Sequence, residues 1–190
     1  MTQTINLGPE VYVTDPCYTV PTWCQLKVED VLPGEWITAM IPDELGGSYR
    51  NAELHLVHKD YQTAGNLMYD WIGDFGVDSG QAGVFDAASY RDDAAAAGIK
   101  TPNIDLPWGV DGEGDHWYQA MCKITLCDES DNWGSYDSGV VSSSGWGDGM
   151  YAAYGAENED GKLVALNLVF IPQDGDDPYW EEEEDPEDED

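Results

Sequence analysis

Residues 139–171, GVVSSSGWGDGMYAAYGAENEDGKLVALNLVFI, constrain the fold more tightly than any other part of the chain. From Lys162 to Ile171, an extended backbone puts Val164, Leu166, Leu168 and Phe170 on one face. Leu163, Ala165, Val169 and Ile171 fall on the other, and Asn167 is the single polar interruption. A strand apolar on both faces belongs in the middle of a sheet that is covered on both sides. Asp148 to Gly155 reads as its partner, with Met150, Ala152 and Tyr154 facing one way. Between them, Glu159-Asp160-Gly161-Lys162 carries the Asp-Gly pair that suits a two-residue turn with positive φ at both central positions. That turn sets Glu159 across from Lys162, a favourable cross-strand pair. The expectation is a β-hairpin in an antiparallel sheet.

The remaining segments are short. Val11 to Thr14 is a β-like run stopped by Asp15-Pro16, where the proline pushes the aspartate away from helical geometry and its carboxylate can accept N–H bonds from the next turn. Pro21 to Val31 places Trp23, Leu26, Lys27 and Asp30 at helical spacing and predicts a short helix. Glu35–Ile41 and Ala52–His58 are strand-like. Trp71 to Asp86 offers Phe75, Val77, Val84 and Phe85 to a core, around glycines that mark turns or close backbone approach. Asp86 is placed to cap a short helix to Tyr90, and Ala94 to Ala97 is helical within an excursion over residues 91–115. In Trp117–Cys127 the alternation of Tyr118, Ala120, Cys122, Ile124 and Leu126 favours a strand, with a helix starting near Asp115 as the alternative. Twenty-one glycines and ten prolines suit many turns and short strands. The fold class is therefore mainly β with a few short helices (α+β), an antiparallel sandwich or half-open barrel. Residues 1–173 form one domain, and residues 174–190 are a disordered acidic C-terminal tail.

Charge bounds the partners. Thirty-nine acidic residues face seven basic ones, for a net charge of −32. Twelve of the acids lie in DGDDPYWEEEEDPEDED at residues 174–190, leaving 27 acids against the same seven bases in the domain. The domain is thus strongly acidic without its tail, which repels nucleic acid and anionic membranes and attracts basic protein surfaces. The first residues carry no basic n-region or apolar h-region, and no apolar run reaches membrane-spanning length, so a cytoplasmic setting is expected.

Four cysteines, Cys17, Cys24, Cys122 and Cys127, lack metal-knuckle spacing and read as reduced, buried thiols. Three histidines, His55, His58 and His116, stand beside no nucleophile motif, and Ser79 in GVDSG does not fit the nucleophile elbow, so no catalytic residue is assigned. Asp111-Gly112-Glu113-Gly114-Asp115 alternates acids on glycines in a way that suits calcium, without the twelve-residue loop that makes such a site specific. No cofactor is expected. A ligand pocket, if the chain has one, would draw on Asp15, Tyr18, Asp78, Ser79, Gln81, Trp146 and Asp148, which mix carboxylates, amides and aromatics on glycine-rich turns.

Three blocks in order, Asp15-Pro16-Cys17-Tyr18, Gly76-Val77-Asp78-Ser79-Gly80-Gln81 and Ser144-Gly145-Trp146-Gly147-Asp148-Gly149-Met150-Tyr151, resemble a family of bacterial and phage proteins of unknown function that carries DPCY, GVDSG and GDGxY motifs. The resemblance spans most of residues 11–171. It implies a small β-rich protein of phage or mobile-element type and transfers no catalytic role.

The functional expectation is a non-enzymatic, acidic accessory protein that binds a basic host protein, acting as a DNA mimic or counter-defence inhibitor of a nucleic-acid-binding or defence protein. In the tail, Tyr179 and Trp180 with Glu181, Glu182, Glu183 and Glu184 are the residues expected to dock on such a surface. Two alternatives differ in class: a nucleotide-like ligand binder or hydrolase built on the Asp78 and Asp148 turns, and a virion component.

Overall fold

The structure, a computed structural model, describes residues 2–43, 50–106, 115–127 and 131–172. In chain order its strands are β1 (Thr2–Leu7), β2 (Val11–Thr14), β3 (Leu26–Val28), β4 (Gly34–Pro42), β5 (Asn51–His58), β6 (Asp70–Val77) and β7 (Gln81–Asp86). They continue with β8 (Trp133–Tyr136), β9 (Gly139–Ser143), β10 (Gly149–Glu157) and β11 (Leu163–Val169), and the helices are α1 (Asp93–Ala96) and α2 (His116–Thr125). Six strands in the order β1-β4-β5-β11-β10-β6 make one sheet, and five in the order β3-β2-β7-β9-β8 make the other. Both are antiparallel, and they do not close into a barrel.

β11 lies between β5 and β10, and Asn167 is the first residue from its start that is not buried. This is the central position its two apolar faces require. The connection into it differs from the two-residue turn. The ladder shifts register and ends at Glu157 opposite Leu163, so residues 158–162 form the link. Asn158 closes it: its Oδ1 accepts from the N–H groups of Asp160 (3.0 Å) and Lys162 (2.9 Å). An asparagine that satisfies two turn amides displaces the tighter turn. Lys162 then pairs with Asp30 at 2.6 Å rather than with Glu159.

The sheets bury Trp36, Leu54, Leu56, Phe75, Leu166, Leu168 and Phe170 from the first against Val11, Val13, Val84 and Val140 from the second. Phe75, Tyr151 and Phe170 form a ring cluster with centroids 5.5–6.5 Å apart. A third layer covers the opposite face of the five-stranded sheet, where Trp117, Ala120, Met121 and Ile124 of α2 pack on Phe85 and Val141.

That third layer corrects the strand reading of residues 117–127. The residues that reach the core recur at i, i+3, i+4 and i+7, a helical stripe, and the alternation of smaller side chains is incidental. Asp115 starts the helix by accepting from Tyr118 N–H at 3.1 Å. The helix expected over Pro21–Val31 is also absent. A cis Val20-Pro21 bond leads into a turn in which Gln25 N–H reaches the Thr22 carbonyl at 3.1 Å, and the chain then pairs as β3 with β2. A free edge on β2 offers Leu26–Val28 backbone partners, and that outweighs the segment's helical spacing. Asp86 does not cap a helix either. Its carboxylate accepts from Ala88 N–H at 3.0 Å and from Gly8 N–H, tying a turn to the β1–β2 connection.

Candidate functional site

The three sequence blocks meet at one end of the sandwich, and Asp15 is what joins two of them. It follows the last residue of β2 and is fully buried. Its Oδ1 accepts from Cys17 N–H (2.7 Å) and the Ser79 hydroxyl (2.7 Å), and its Oδ2 accepts from Asp78 N–H (2.8 Å) and Ser79 N–H (2.6 Å). Four donors on one carboxylate compensate its removal from water and lock residues 15–18 onto the β6–β7 turn. Tyr90 and Arg91 reinforce the same corner. The Tyr90 hydroxyl donates to the Tyr18 carbonyl at 2.7 Å, and Arg91 donates to the Pro16 carbonyl while pairing with Asp115.

The third block joins through backbone. Ser144 N–H donates to the Gly80 carbonyl at 3.0 Å, and Gly149 pairs with Val77. Within the loop, the hydroxyls of Ser144 and Tyr151 both donate to the Gly147 carbonyl at 2.8 Å. Gly80 (φ +67) and Gly147 (φ +101) are neighbours here, both with the positive φ that glycine adopts without strain. Arg50 donates to the Gly145 carbonyl at 2.8 Å, and its guanidinium lies 4.5 Å from the centroid of the Trp146 ring.

Of the seven residues singled out from sequence, all therefore gather at this end, but with different roles. Asp15 is consumed as an internal tie. Gln81 points inward at 5% exposure, with its amide nitrogen 3.5 Å from the Cys122 sulfur. Asp78, Asp148 and Trp146 are exposed, while Tyr18 and Ser79 are half-buried. Ser79 has a carboxylate and not a histidine as its hydroxyl partner. His55 binds Glu53 at 2.6 Å, His58 packs edge-on to Trp36, and His116 opens α2. That geometry makes Ser79 a turn hydroxyl rather than an activated nucleophile. Among the described residues no group of three or more His, Cys, Asp or Glu is arranged to hold a metal ion. Residues 111–114 of the calcium candidate lie outside the described residues, as do Tyr179, Trp180 and Glu181–Glu184, and Asp115 is engaged by Arg91.

The thiols at this end are quiet. None of the four cysteines is in a disulfide. Burial and then the Asp15 carboxylate push the Cys17 thiol up to about 12. Burial, followed by Cys24 and Asp78, drives the Tyr18 hydroxyl above the ordinary tyrosine range. With its thiolate suppressed, Cys17 is expected to react with iodoacetamide at pH 8 roughly a thousandfold more slowly than free cysteine. Peptide mass spectrometry of a timed alkylation checks this, and labelling of Cys17 at the rate of free cysteine would contradict it.

At this corner sequence reasoning singled out Trp146 and missed the exposed apolar side chains of Trp23, Val20 and Met150. Trp23 is 88% exposed and Trp146 60%, and Val20 and Met150 are also exposed. Trp23 and Met150 border the β6 side of the turn. Cys24, next to Trp23, accepts from Gly76 N–H at 2.9 Å, and a Cβ on Gly76 would come within 3.4 Å of the Met150 sulfur. Trp146 is carried by the loop whose Gly147 lies against Gly80. Trp23 was hidden by the helical spacing of its segment. The signal that marks it is the paired turn chemistry of Pro21-Thr22 and Gln25.

A family model matches residues 48–168, a span that includes the Asp78–Gly80 turn and the Trp146 loop and leaves out Asp15–Tyr18. No curated protein and no solved structure matches the chain. With well over half of its residues inside that match, the chain belongs to the family described as Protein of unknown function (DUF4241).

Proposed function

We propose that this protein is a non-enzymatic binding module that engages a basic protein surface through the end of the sandwich where the three blocks meet. The observation that carries this reading is the exposure of Trp23 and Trp146 at the end of the sandwich where Asp78 and Asp148 are also exposed, a corner braced by buried Asp15 on the Asp78–Ser79 turn and by the Ser144 N–H on the Gly80 carbonyl. Tryptophan is enriched among interface anchors, and a ring on an ordered frame loses little conformational freedom on binding. A charge of −32 adds long-range attraction toward a basic partner and accelerates encounter. In a phage or mobile-element setting the natural target is the basic face of a nucleic-acid-binding or defence protein, where carboxylates take the place of phosphates.

The test is affinity capture from bacterial lysate with the immobilised full chain at low and at high salt. Basic proteins retained at about 50 mM salt and released well before 500 mM are the expected result, since screening shortens the range of surface charge. If nothing basic is retained at low salt, the reading fails.

A further inference from the structure

The outward faces of the two sheets differ in cover. In the five-stranded sheet, outward-facing Phe85 and Val141 are fully buried beneath α2. In the six-stranded sheet burial alternates instead: Leu54 and Leu56 of β5 are buried in the core, while Glu53, His55 and Val57 on the outward side are half-buried. Register arranges that outward side in rows. β4 presents Ile41, Ala39 and Ile37, and β10 presents Ala152, Tyr154 and Ala156 in the same three rows. Between them, β5 presents Glu53, His55 and Val57, and β11 presents Val169, Asn167 and Ala165. Within these rows on the four strands Glu53 is the only carboxylate, and it is bound by His55 Nε2 at 2.6 Å and Asn167 Nδ2 at 2.9 Å. On a chain with 39 acids against seven bases, this is a face of nearly balanced charge. At its β6 edge the middle row continues to Trp71, which is 60% exposed, and at its β1 edge to Thr2.

We infer that this face pairs with the same face of a second copy of the chain, about a two-fold axis that runs along the strands between β5 and β11. Such an axis reverses the strand order of the copy and keeps its rows, so β4 lies over β10, β5 over β11 and β1 over β6. Side-chain size then matches across the interface. Ile41 meets Ala152, Tyr154 meets Ala39, Ile37 meets Ala156 and Val57 meets Ala165, a large side chain over a small one each time. His55 meets Asn167, and Glu53 meets Val169 while keeping its own two partners. A face graded in this way is complementary to itself, which selects a second copy as the occupant. Charge points the same way. A basic protein is drawn to the acidic remainder of the surface, whereas a copy carrying −32 is repelled least where carboxylates are scarce and paired. Aligned sheets cross at about −30°, a rotation that displaces the central strands least. Strands about 4.8 Å apart and rows about 7 Å apart give a contact of roughly 1,200 Å² over both copies, at the low end of specific interfaces. Trp71 at the rim adds to it.

Sedimentation equilibrium of the full chain tests the pairing. A mass of twice 20.9 kDa is expected at a chain concentration of about 100 μM. Association should be roughly fivefold tighter at about 0.5 M salt than at about 0.05 M, because screening weakens the repulsion between two acidic chains. Capture of a basic protein by the Trp23–Trp146 end has the opposite salt dependence, so the two readings stand or fall separately. Ala39→Tyr sets two tyrosines against each other across the axis and is expected to weaken association by about tenfold or more. Ala39→Tyr/Tyr154→Ala exchanges the two sizes and is expected to restore it to within about threefold of wild type, which a misfolded variant would not do. A wild-type mass of one chain overturns the inference, whether the face is then bare or taken by the chain's own C-terminal segment or by another protein. So does a pair indifferent to Ala39→Tyr, or one that the exchange leaves broken.

Discussion

Replacing Asp15 with Ala is expected to lower stability by about 4 kcal/mol, because three backbone N–H groups and one hydroxyl lose a buried acceptor together. For a chain of this size that is a fall in melting temperature of roughly 8–16 °C. Asp15→Asn keeps one acceptor oxygen and turns an amino group toward the remaining donors, so its loss is expected to be smaller, about 2–3 kcal/mol. Ser79→Ala removes only one of the four bonds and is expected to cost about 1 kcal/mol. The two effects share a partner, so Asp15→Ala with Ser79→Ala should be barely worse than Asp15→Ala alone. Chemical denaturation of the four variants measures the set. Additive losses, or an Asp15→Ala protein as stable as wild type, would show that the carboxylate does not organise this end.

The second large effect is expected at Trp117. It is fully buried, with its ring centroid 5.2 Å from that of Phe85 and 5.1 Å from that of Tyr90. Trp117→Ala removes the main side chain that fastens α2 to the five-stranded sheet, at an expected cost of about 3–5 kcal/mol. Its consequence runs past the core. Tyr90 packs on the same ring and holds the Tyr18 carbonyl, so loss of Trp117 loosens the Asp15–Tyr18 turn from behind. Trp117→Phe keeps an aromatic contact and is expected to lose no more than about half as much. Thermal melts followed by near-ultraviolet circular dichroism separate the two, and an unchanged melt for Trp117→Ala would remove α2 from the core described above.

Strands with strong patterns were legible and local choices between helix and strand were not. β11 declares itself, because two apolar faces leave a strand nowhere to go but the interior. In residues 117–125 both periods fit the same letters, and only the outer face of β7 and β9, waiting for Phe85 and Val141 to be covered, decides for the helix. For Pro21–Val31 the deciding factor is the free edge of β2, a partner strand that the segment's own pattern cannot reveal. The site was half legible for a related reason. Aspartate before proline and glycine-flanked Asp78-Ser79 announce turns, yet nothing in either segment says that one side chain binds the other across 63 residues. Trp23 and Trp146 look alike in composition to the buried Trp36 and Trp117, and exposure is a property of where the turns put them.

The central claim is that the exposed tryptophans of this end are the binding surface. It is tested most directly by comparing the wild-type chain with Trp23→Ala/Trp146→Ala in low-salt capture, alongside a melt of each protein. The expected result is a loss of at least tenfold in the retained basic proteins with the melting temperature within about 2 °C, because neither side chain is buried. Undiminished retention by the doubly substituted protein would contradict the claim.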